Sequence, residues 1–502
     1  RGSLQGTSSS KPPIANQHEK LSQVLSYSWV LLWSTALGWL LQILAARIVV
    51  VTGTQLARVC REQYPAFMRV SLWLAMEFAN IGSDVQVLLG SSIAISLLSN
   101  GGIPLWGGVL ITGVDSFFLM LLDRIGVKRF EAIFAGLLFT MLAAFMSVWI
   151  IGGPHVGEIA LGLLVPEVPA HTITQAVGTL GAVIMPHNLY LHSALVRSRK
   201  VDRSSKGAVD EANYYNAVES GIALLLSLFI NLFVVSVFAH NFYDPHQDRV
   251  CPIDGNPNFM CKDVGLLEAG SVLATGLGSG VGKYVWSIGL LASGQSSVLT
   301  STYAGQFVMS GFWNINVPKW KRALITRAIA LLPGIVVALT AASQFDSIDQ
   351  DLNLLQSIAL PFALLPLLKV AGSPAIMGPY ANSKAMHITG WVVAVLSVGI
   401  NVYTLVAYVQ ELGEERWWTY FLLALCAAAY AAILVFLVRF SVGGHAGDYS
   451  GNEAEEDGDD DDLADNTVDV HALSGEAPTV GLLASAEGSA NDGGGHSGQL
   501  VE

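Results

Sequence analysis

The sequence has little charge. Asp, Glu, Lys and Arg together make up only 13% of its 502 residues, whereas hydrophobic residues make up 52%. Soluble domains typically carry about 25% charged residues, so this composition excludes a string of soluble domains and indicates a polytopic membrane protein. Cysteine is also scarce, because four residues are too few for a disulfide scaffold or a cysteine-rich zinc site.

Basic residues are lacking at one end of the chain. Residues 441–502 contain 15 of the 39 acids and none of the 26 bases, which leaves a net charge of +2 on residues 1–440. No basic patch is available to neutralise phosphates, so nucleic acid is excluded as a natural partner. The sequence also has no nucleophile elbow, P-loop or two-histidine zinc motif, and we therefore expect neither enzyme activity nor a bound cofactor.

What the sequence does contain is a series of apolar runs. A bilayer core about 30 Å thick needs about 20 apolar residues per helix, and eleven such runs are separated by polar, Pro or Gly residues. The predicted spans are residues 27–51, 70–98, 103–122, 130–151, 173–196, 217–239, 284–309, 323–342, 352–371, 389–409 and 418–438. The predicted organisation is a polar leader at 1–26, an all-α transmembrane domain at 27–440 and a disordered acidic tail at 441–502.

Lys and Arg are concentrated in alternate loops between these spans, and the positive-inside rule assigns those loops to the cytoplasm. The loop at 240–283 then lies on the opposite side of the membrane. It contains Cys251 and Cys261, for which an oxidising compartment permits a disulfide. With eleven crossings, the acidic tail is predicted to be cytoplasmic.

Ionisable side chains inside an apolar span are costly, and they are the first candidates for function. The second span places Glu77 and Asp84 seven residues apart on one face of a helix, with Asn80 between them on the same side. These residues form a polar stripe that crosses the helix. The alternative interpretation is that they only satisfy hydrogen bonds to neighbouring helices.

The fifth span is interrupted by a proline. In a continuous helix, the residue at position 186 would donate a hydrogen bond to the carbonyl of Ala182, but Pro186 has no N–H. Met185 precedes the proline and offers a soft thioether beside the freed oxygen, a combination that favours Mn²⁺ or Fe²⁺ over Ca²⁺ or Mg²⁺. Two histidines follow on the second half of the span: His187 and His192. The alternative is an ordinary proline kink with a core methionine.

Several motifs resemble those of the NRAMP family of proton-coupled divalent metal transporters. GAVIMPHNLYLHS at 181–193 is similar to the family's sixth-helix signature, and GQSSVLTSTYAGQFVMSG at 294–311 resembles its transport motif. Further similarities occur in family order at 45–53, 103–112, 325–334, 352–368 and 377–383. The resemblance runs from about Tyr27 to Arg439. It implies the LeuT-type fold, two inverted repeats of five helices in which the first helix of each repeat is broken.

The resemblance also implies roles for individual residues. The carbonyl of Ala182 and the sulfur of Met185 would be metal ligands, and Asn353 lies where the family often has an amide that approaches the metal. The resemblance also places His187, Asp84 and Arg327 in the proton pathway and gate, to which we add Glu77 and His192 because they lie inside the same spans. The family pairs the arginine at the Arg327 position with carboxylates that carry protons away from the metal.

Two family features are absent from the 502 residues. The family's first helix contributes an Asp-Pro-Gly-Asn break that completes the metal site, and no such motif occurs in the sequence, whose first span matches the family's second helix. A glutamate that usually follows three residues after Asp84 is replaced by Val87. We therefore expect a chain truncated before the second helix, which transports metal poorly unless a family-like first helix is added.

The predicted function is the proton-coupled transport of divalent transition metals, chiefly Mn²⁺ and Fe²⁺, by a monomer in a lipid bilayer. The plasma membrane and endomembranes such as those of vacuoles and endosomes are equally compatible with the sequence. The alternative is a non-transporting, sensor-like relative similar to the plant ethylene-signalling branch, although that branch has a much longer cytoplasmic region. Amino-acid transport on the same fold is disfavoured, since Met185 offers nothing to a substrate carboxylate or amine.

Overall fold

A computed structural model describes most of the predicted transmembrane domain. The described residues are 27–122, 136, 139–143, 145–147, 149–150, 156–166, 173–199, 201–244, 249–250, 265–276, 281–313, 319–340, 345–411 and 417–443. The predicted leader at 1–26 and nearly all of the predicted tail at 441–502 lie outside these ranges, as do Cys251 and Cys261. What the sequence analysis states about them stays a prediction.

Helices dominate the described residues. In chain order they are α1 Tyr27–Thr52, α2 Leu56–Gln63, α3 Ala66–Leu98, α4 Leu105–Leu122, α5 Val156–Leu164, α6 Ile173–Val183, α7 Pro186–Arg197, α8 Lys206–Phe242, α9 Leu266–Gly276, α10 Val281–Trp313, α11 Lys319–Thr340, α12 Phe345–Ala371, α13 Pro374–Met377, α14 Lys384–Glu411 and α15 Trp417–Arg439. A 3₁₀ turn spans Gly378–Tyr380. The predicted all-α class has one small exception, the antiparallel pair β1 Tyr243–Asp244 and β2 Arg249–Val250.

The helices coincide with the predicted spans. Ten of the eleven predicted runs fall on helices, and the described parts of the remaining run, 130–151, are helical. Within the described ranges, six helices are long and apolar enough to cross a bilayer, namely α1, α3, α8, α12, α14 and α15. Apolar runs of bilayer length therefore predicted the positions of the long helices, while the short helices α2, α5, α9 and α13 lie between those runs.

Helix α12 lies in the interior of the bundle and α15 lies at its edge. The apolar window of α12 is 83% buried within the protein, whereas that of α15 is 11% buried. Side chains of α12 share a large hydrophobic core with side chains of α1, α2 and α3, including Leu44, Leu56, Met76 and Leu364. Because this window of α12 is surrounded by other helices, polar side chains within it such as Gln356 and Ser357 are buried in protein.

Two glycines let helices approach more closely than a side chain would permit. A Cβ atom built on Gly181 of α6 would lie 2.2 Å from the backbone oxygen of Asn353 on α12. A Cβ atom built on Gly294 of α10 would lie 2.1 Å from the Ser91 hydroxyl oxygen on α3. Small residues at such positions let membrane helices pack closely. Helix α6 thus packs directly against the backbone of α12 close to the point where α6 ends.

Candidate metal-transport site

The fifth predicted span is two helices with a break between them. Helix α6 ends at Val183 and α7 begins at Pro186, so Ile184 and Met185 form the helix break. Met185 has an extended backbone, with φ −70° and ψ 124°. Pro186 cannot donate to the carbonyl of Ala182, and no other backbone N–H of the described residues outside the regular helices donates to it. The fifth predicted span is therefore interrupted next to Pro186, and the role of the Ala182 carbonyl as a metal ligand stays a prediction.

Helices α1 and α12 pack against the break. A Cβ atom on Gly38 of α1 would lie 3.7 Å from Cγ1 of Ile184, which is itself 3% exposed. On the α12 side, a Cβ atom on Gly178 would lie 3.7 Å from the Asn353 Cβ atom, and Gly181 meets the Asn353 backbone directly. The structure therefore brings Asn353 against the turn of α6 that carries Ala182, and their shared role as metal ligands stays a prediction.

Met185 presents its sulfur next to an amide. Nδ2 of Asn188 donates a hydrogen bond to Sδ of Met185 over 3.4 Å, and both side chains are half-buried. No cluster of three or more His, Cys, Asp or Glu side chains able to hold a metal occurs among the described residues. The potential ligands at the break include the thioether, backbone carbonyls and side-chain amides, a donor set that mixes one soft atom with hard ones.

Helix α12 brings a group of polar side chains against α3. Oδ1 of Asn353 accepts a hydrogen bond from Nε2 of Gln86 over 2.9 Å, and Nδ2 of Asn353 donates to Oδ2 of Asp349 over 3.3 Å. Nε2 of Gln356 donates to Oε1 of Gln86 over 2.6 Å. Sequence reasoning selected Asn353 for the site but did not select Gln86, Asp349 or Gln356.

Two features of the sequence explain this omission. Gln86 and Gln356 are neutral amides, and a search for ionisable groups inside spans passes over them. Asp349 precedes the predicted ninth span, which starts at residue 352, whereas α12 begins at Phe345. The spacing of Asp349, Asn353 and Gln356, at i, i+4 and i+7, places all three on one helical face, and this was the signal available in the sequence.

The polar stripe on α3 is buried. Glu77, Asn80 and Asp84 are 9%, 2% and 1% exposed. Glu77 accepts a hydrogen bond from Nε1 of Trp73 over 3.0 Å, and Asp84 accepts one from the hydroxyl of Ser301 on α10. Asp84 thus has a donor on a neighbouring helix, as the alternative interpretation requires, whereas the donor to Glu77 lies on α3 itself. In contrast, neither polar atom of the Asn80 side chain has a hydrogen-bond partner within the described parts of the chain.

The other residues predicted for a proton pathway lie on α7 and α11. His187 and His192 are 1% and 9% exposed, and Nδ1 of His187 is buried with no hydrogen-bond partner among the residues that the structure describes. Arg327 lies on α11, but its side chain falls outside the described part of the chain. Its predicted pairing with a carboxylate therefore stays a prediction. Val87, at the position of the family's usual glutamate, is buried.

These features define a class of protein. Helices of bilayer length surround a broken helix whose irregular backbone is enclosed by protein, and buried ionisable groups line its neighbours. Irregular backbone at membrane depth and interrupted helices near the midplane are typical of secondary transporters. The molecule is a multi-pass integral membrane protein of the transporter class.

Comparison with known proteins identifies the family within that class. A family model described as Natural resistance-associated macrophage protein-like matches residues 26–407. "Metal transporter Nramp3" of Arabidopsis thaliana is 44% identical over 424 residues, which cover 83% of this chain and 80% of the relative. "Metal transporter nramp1 homolog" of Dictyostelium discoideum is 43% identical over 420 residues, which cover 83% and 74% of the two chains. The protein belongs to the Natural resistance-associated macrophage protein-like family, abbreviated Nramp.

Solved structures agree with this assignment. A mutant of the Eremococcus coleocola manganese transporter superposes with a TM-score of 0.67 at 28% identity, covering 85% of this chain and 91% of that one. The same transporter in complex with an aromatic bis-isothiourea substituted compound superposes with a TM-score of 0.66 at 26% identity, covering 87% and 95%. The predicted LeuT-type transporter fold and the multi-pass membrane location are confirmed. The relatives are named as transporters and not as enzymes.

Proposed function

We propose that the protein transports divalent transition-metal ions across a membrane and that Mn²⁺ and Fe²⁺ are its principal substrates. The observation that carries the proposal is the helix break, where the Ala182 carbonyl oxygen, which has no backbone N–H donor among the described residues, lies three residues from a half-buried thioether. The names of the relatives support the same class of substrate, since two are called metal transporters and the Eremococcus coleocola protein a manganese transporter.

The proposed ligands are the carbonyl oxygen of Ala182, the sulfur of Met185 and the side-chain oxygen of Asn353. A thioether favours transition metals, whereas Ca²⁺ and Mg²⁺ favour shells made only of oxygen. The Asn353 oxygen accepts a hydrogen bond from Gln86. A metal at this oxygen would use its second lone pair or displace the Gln86 N–H, and in either case the site on α6 and α12 is coupled to a side chain on α3.

Proton coupling is the second part of the proposal. The interior of the bundle holds titratable side chains on α3 and α7 that are at most 9% exposed, namely Glu77, Asp84, His187 and His192. Buried ionisable groups inside membrane helices are typical of proton relays. His187 follows Pro186 directly, so we propose that His187 links protonation to the geometry of the break, with Arg327 completing the pathway.

Substitution of His187 tests this coupling. Histidine is the side chain whose ordinary titration falls between pH 5 and 8, so His187→Ala is expected to flatten the pH dependence of Mn²⁺ uptake in that range. The measurement is initial uptake into proteoliposomes at a series of external pH values. His387→Ala, at an exposed histidine of α14, is the matched control and should keep the wild-type profile. A wild-type profile in His187→Ala would remove His187 from the pathway.

Uptake of Mn²⁺ by purified protein in proteoliposomes tests the proposed function as a whole. The assay uses the 502-residue chain and the same chain preceded by the first helix of a family relative, each with and without an acid-outside gradient. For the extended form we expect Mn²⁺ uptake above that of empty liposomes, accelerated by the gradient and inhibited by Fe²⁺ more than by Ca²⁺, and for the 502-residue chain we expect slower uptake. The absence of Mn²⁺ uptake by both forms would contradict the proposal.

A further inference from the structure

One nitrogen atom beside the proposed metal site is surrounded by oxygen atoms. Nε2 of Gln86 lies 2.9 Å from Oδ1 of Asn353, 3.0 Å from Oδ1 of Asp349 and 3.1 Å from the backbone oxygen of Asp349. An amide nitrogen carries two hydrogens, so three oxygens share two hydrogens. We call these three oxygens the oxygen cage. A backbone carbonyl, a carboxylate and an amide oxygen converge here on a single partially positive atom.

The neighbouring glutamine shows how the cage can open. Gln356 is fully buried, and although its Nε2 donates to Oε1 of Gln86, its own Oε1 has no hydrogen-bond partner among the described residues. The oxygen and nitrogen of a glutamine amide occupy nearly equivalent positions, so a half-turn exchanges them. If both amides make this half-turn, Nε2 of Gln86 donates to Oε1 of Gln356, and the unpaired oxygen gains its donor.

The same half-turn changes the character of the cage. Oε1 of Gln86 replaces Nε2 beside Asp349 and Asn353, so four oxygens face one another and no hydrogen lies between them. Such an arrangement is unfavourable when empty, because the oxygens repel one another. A cation between them attracts all four oxygens and so offsets their mutual repulsion. One carboxylate with neutral carbonyl oxygens is a common ligand set for divalent ions.

We propose that Gln86, Asp349 and Asn353 form a second cation site next to the helix break, an all-oxygen site for a divalent ion that opens when the Gln86 and Gln356 amides rotate. The site deepens the proposed function, on which it rests for the identity of the ion, the transported metal. It contains no sulfur, so it accepts Mn²⁺ and Ca²⁺ alike and leaves discrimination to Met185.

The position of the site indicates when it acts. Asp349 is one turn nearer than Asn353 to the N-terminal end of α12, and in the predicted orientation this end faces away from the cytoplasm. An ion entering from that side reaches Asp349 before it reaches Ala182 and Met185. Asn353 belongs to both sites, so one side chain can pass the ion from the oxygen cage to the break.

Equilibrium binding of Mn²⁺ to the purified full chain tests the site, with free Mn²⁺ measured by electron paramagnetic resonance. Asp349→Asn keeps the size of the side chain and removes its charge. We expect it to weaken one class of bound Mn²⁺ at least tenfold, both in the otherwise wild-type chain and in Met185→Ala. Asp351→Asn, at an exposed position of the same helix, is the matched control and should bind Mn²⁺ as the wild type does.

Two results separate this site from the proposed function. Unchanged Mn²⁺ binding in Asp349→Asn would overturn the second site, while the proposed function stands if Met185→Ala still lowers uptake. If Asp349→Asn weakens binding and Met185→Ala changes neither binding nor uptake, the second site stands and the proposed ligand set at the break fails.

Gln86→Glu provides an independent variant if Asp349→Asn folds poorly. It places a second carboxylate against Asp349, so we expect a lower melting temperature than the wild type without Mn²⁺ and a larger rise in melting temperature when Mn²⁺ is added. The proposed site would be overturned if Mn²⁺ raises the melting temperature of Gln86→Glu no more than it raises that of the wild type.

Discussion

A single methyl group added at Gly181 is expected to lower Mn²⁺ uptake by about one to two orders of magnitude. The new Cβ atom of Gly181→Ala would lie 2.2 Å from the backbone oxygen of Asn353, and a backbone atom cannot rotate away as a side chain can. Overpacking of this kind costs about 1–3 kcal/mol. If that cost falls on the geometry that brings Ala182 and Asn353 together, it corresponds to a loss of about 5- to 150-fold in metal affinity.

The matched control for this substitution is Gly399→Ala. Gly399 lies on α14, and a Cβ atom there meets nothing within 4 Å. Because alanine is favoured over glycine inside a helix by about 0.5–1 kcal/mol, this variant should be at least as stable as the wild type and should transport normally. Uptake into proteoliposomes and thermal unfolding are compared for both variants. Wild-type uptake by Gly181→Ala would show that the close packing of α6 against α12 does not set the geometry of the site.

Removal of the Met185 thioether is expected to change which ions are transported. Met185→Ala should lower Mn²⁺ and Fe²⁺ transport and relax the exclusion of Ca²⁺ and Mg²⁺, because a soft ligand disfavours hard ions relative to transition metals. We expect the ratio of Mn²⁺ to Ca²⁺ uptake to fall at least tenfold, equivalent to about 1.4 kcal/mol of differential binding. The measurement is competition between the two ions in one proteoliposome preparation.

Met377→Ala separates this effect from a general loss of packing. Met377 is 1% exposed in the large hydrophobic core and lies beyond the C-terminal end of α12. Its truncation should lower stability, since deleting a buried methionine typically costs about 2–5 kcal/mol, but should leave the ratio of Mn²⁺ to Ca²⁺ uptake unchanged. If the two variants alter the ratio equally, Met185 is a packing residue and not a ligand.

The parts of the fold that the sequence predicted well are those that depend on local chemistry. A bilayer requires about 20 apolar residues per helix, so the long helices could be located from their apolar runs. Pro186 could be identified as a break because it lacks an N–H and conflicts with the preceding turn whatever surrounds it. The polar stripe of Glu77 and Asp84 could be located in the same way, because ionisable side chains are costly inside an apolar span.

The parts that the sequence did not predict depend on contacts between distant segments. Gln86 and Asp349 are 263 positions apart and meet only because α3 and α12 pack together. Likewise, Ser301 and Asp84 are 217 positions apart in the sequence. The residues around each of them do not predict the hydrogen bond between them. The spacing of Asp349, Asn353 and Gln356 was enough to predict that they share one helical face. It was not enough to predict that this face contacts Gln86 on α3. The polar network of the site can therefore be identified only from the packing of the helices.

X-ray absorption spectroscopy of Mn²⁺ bound to the purified protein tests most directly the claim that the helix break binds metal through Met185. The proposed ligand set predicts one sulfur neighbour among the oxygen neighbours of the ion in the wild-type protein and its loss in Met185→Ala. Met377→Ala should retain the sulfur signal. A shell made only of oxygen and nitrogen in the wild-type protein would contradict the account.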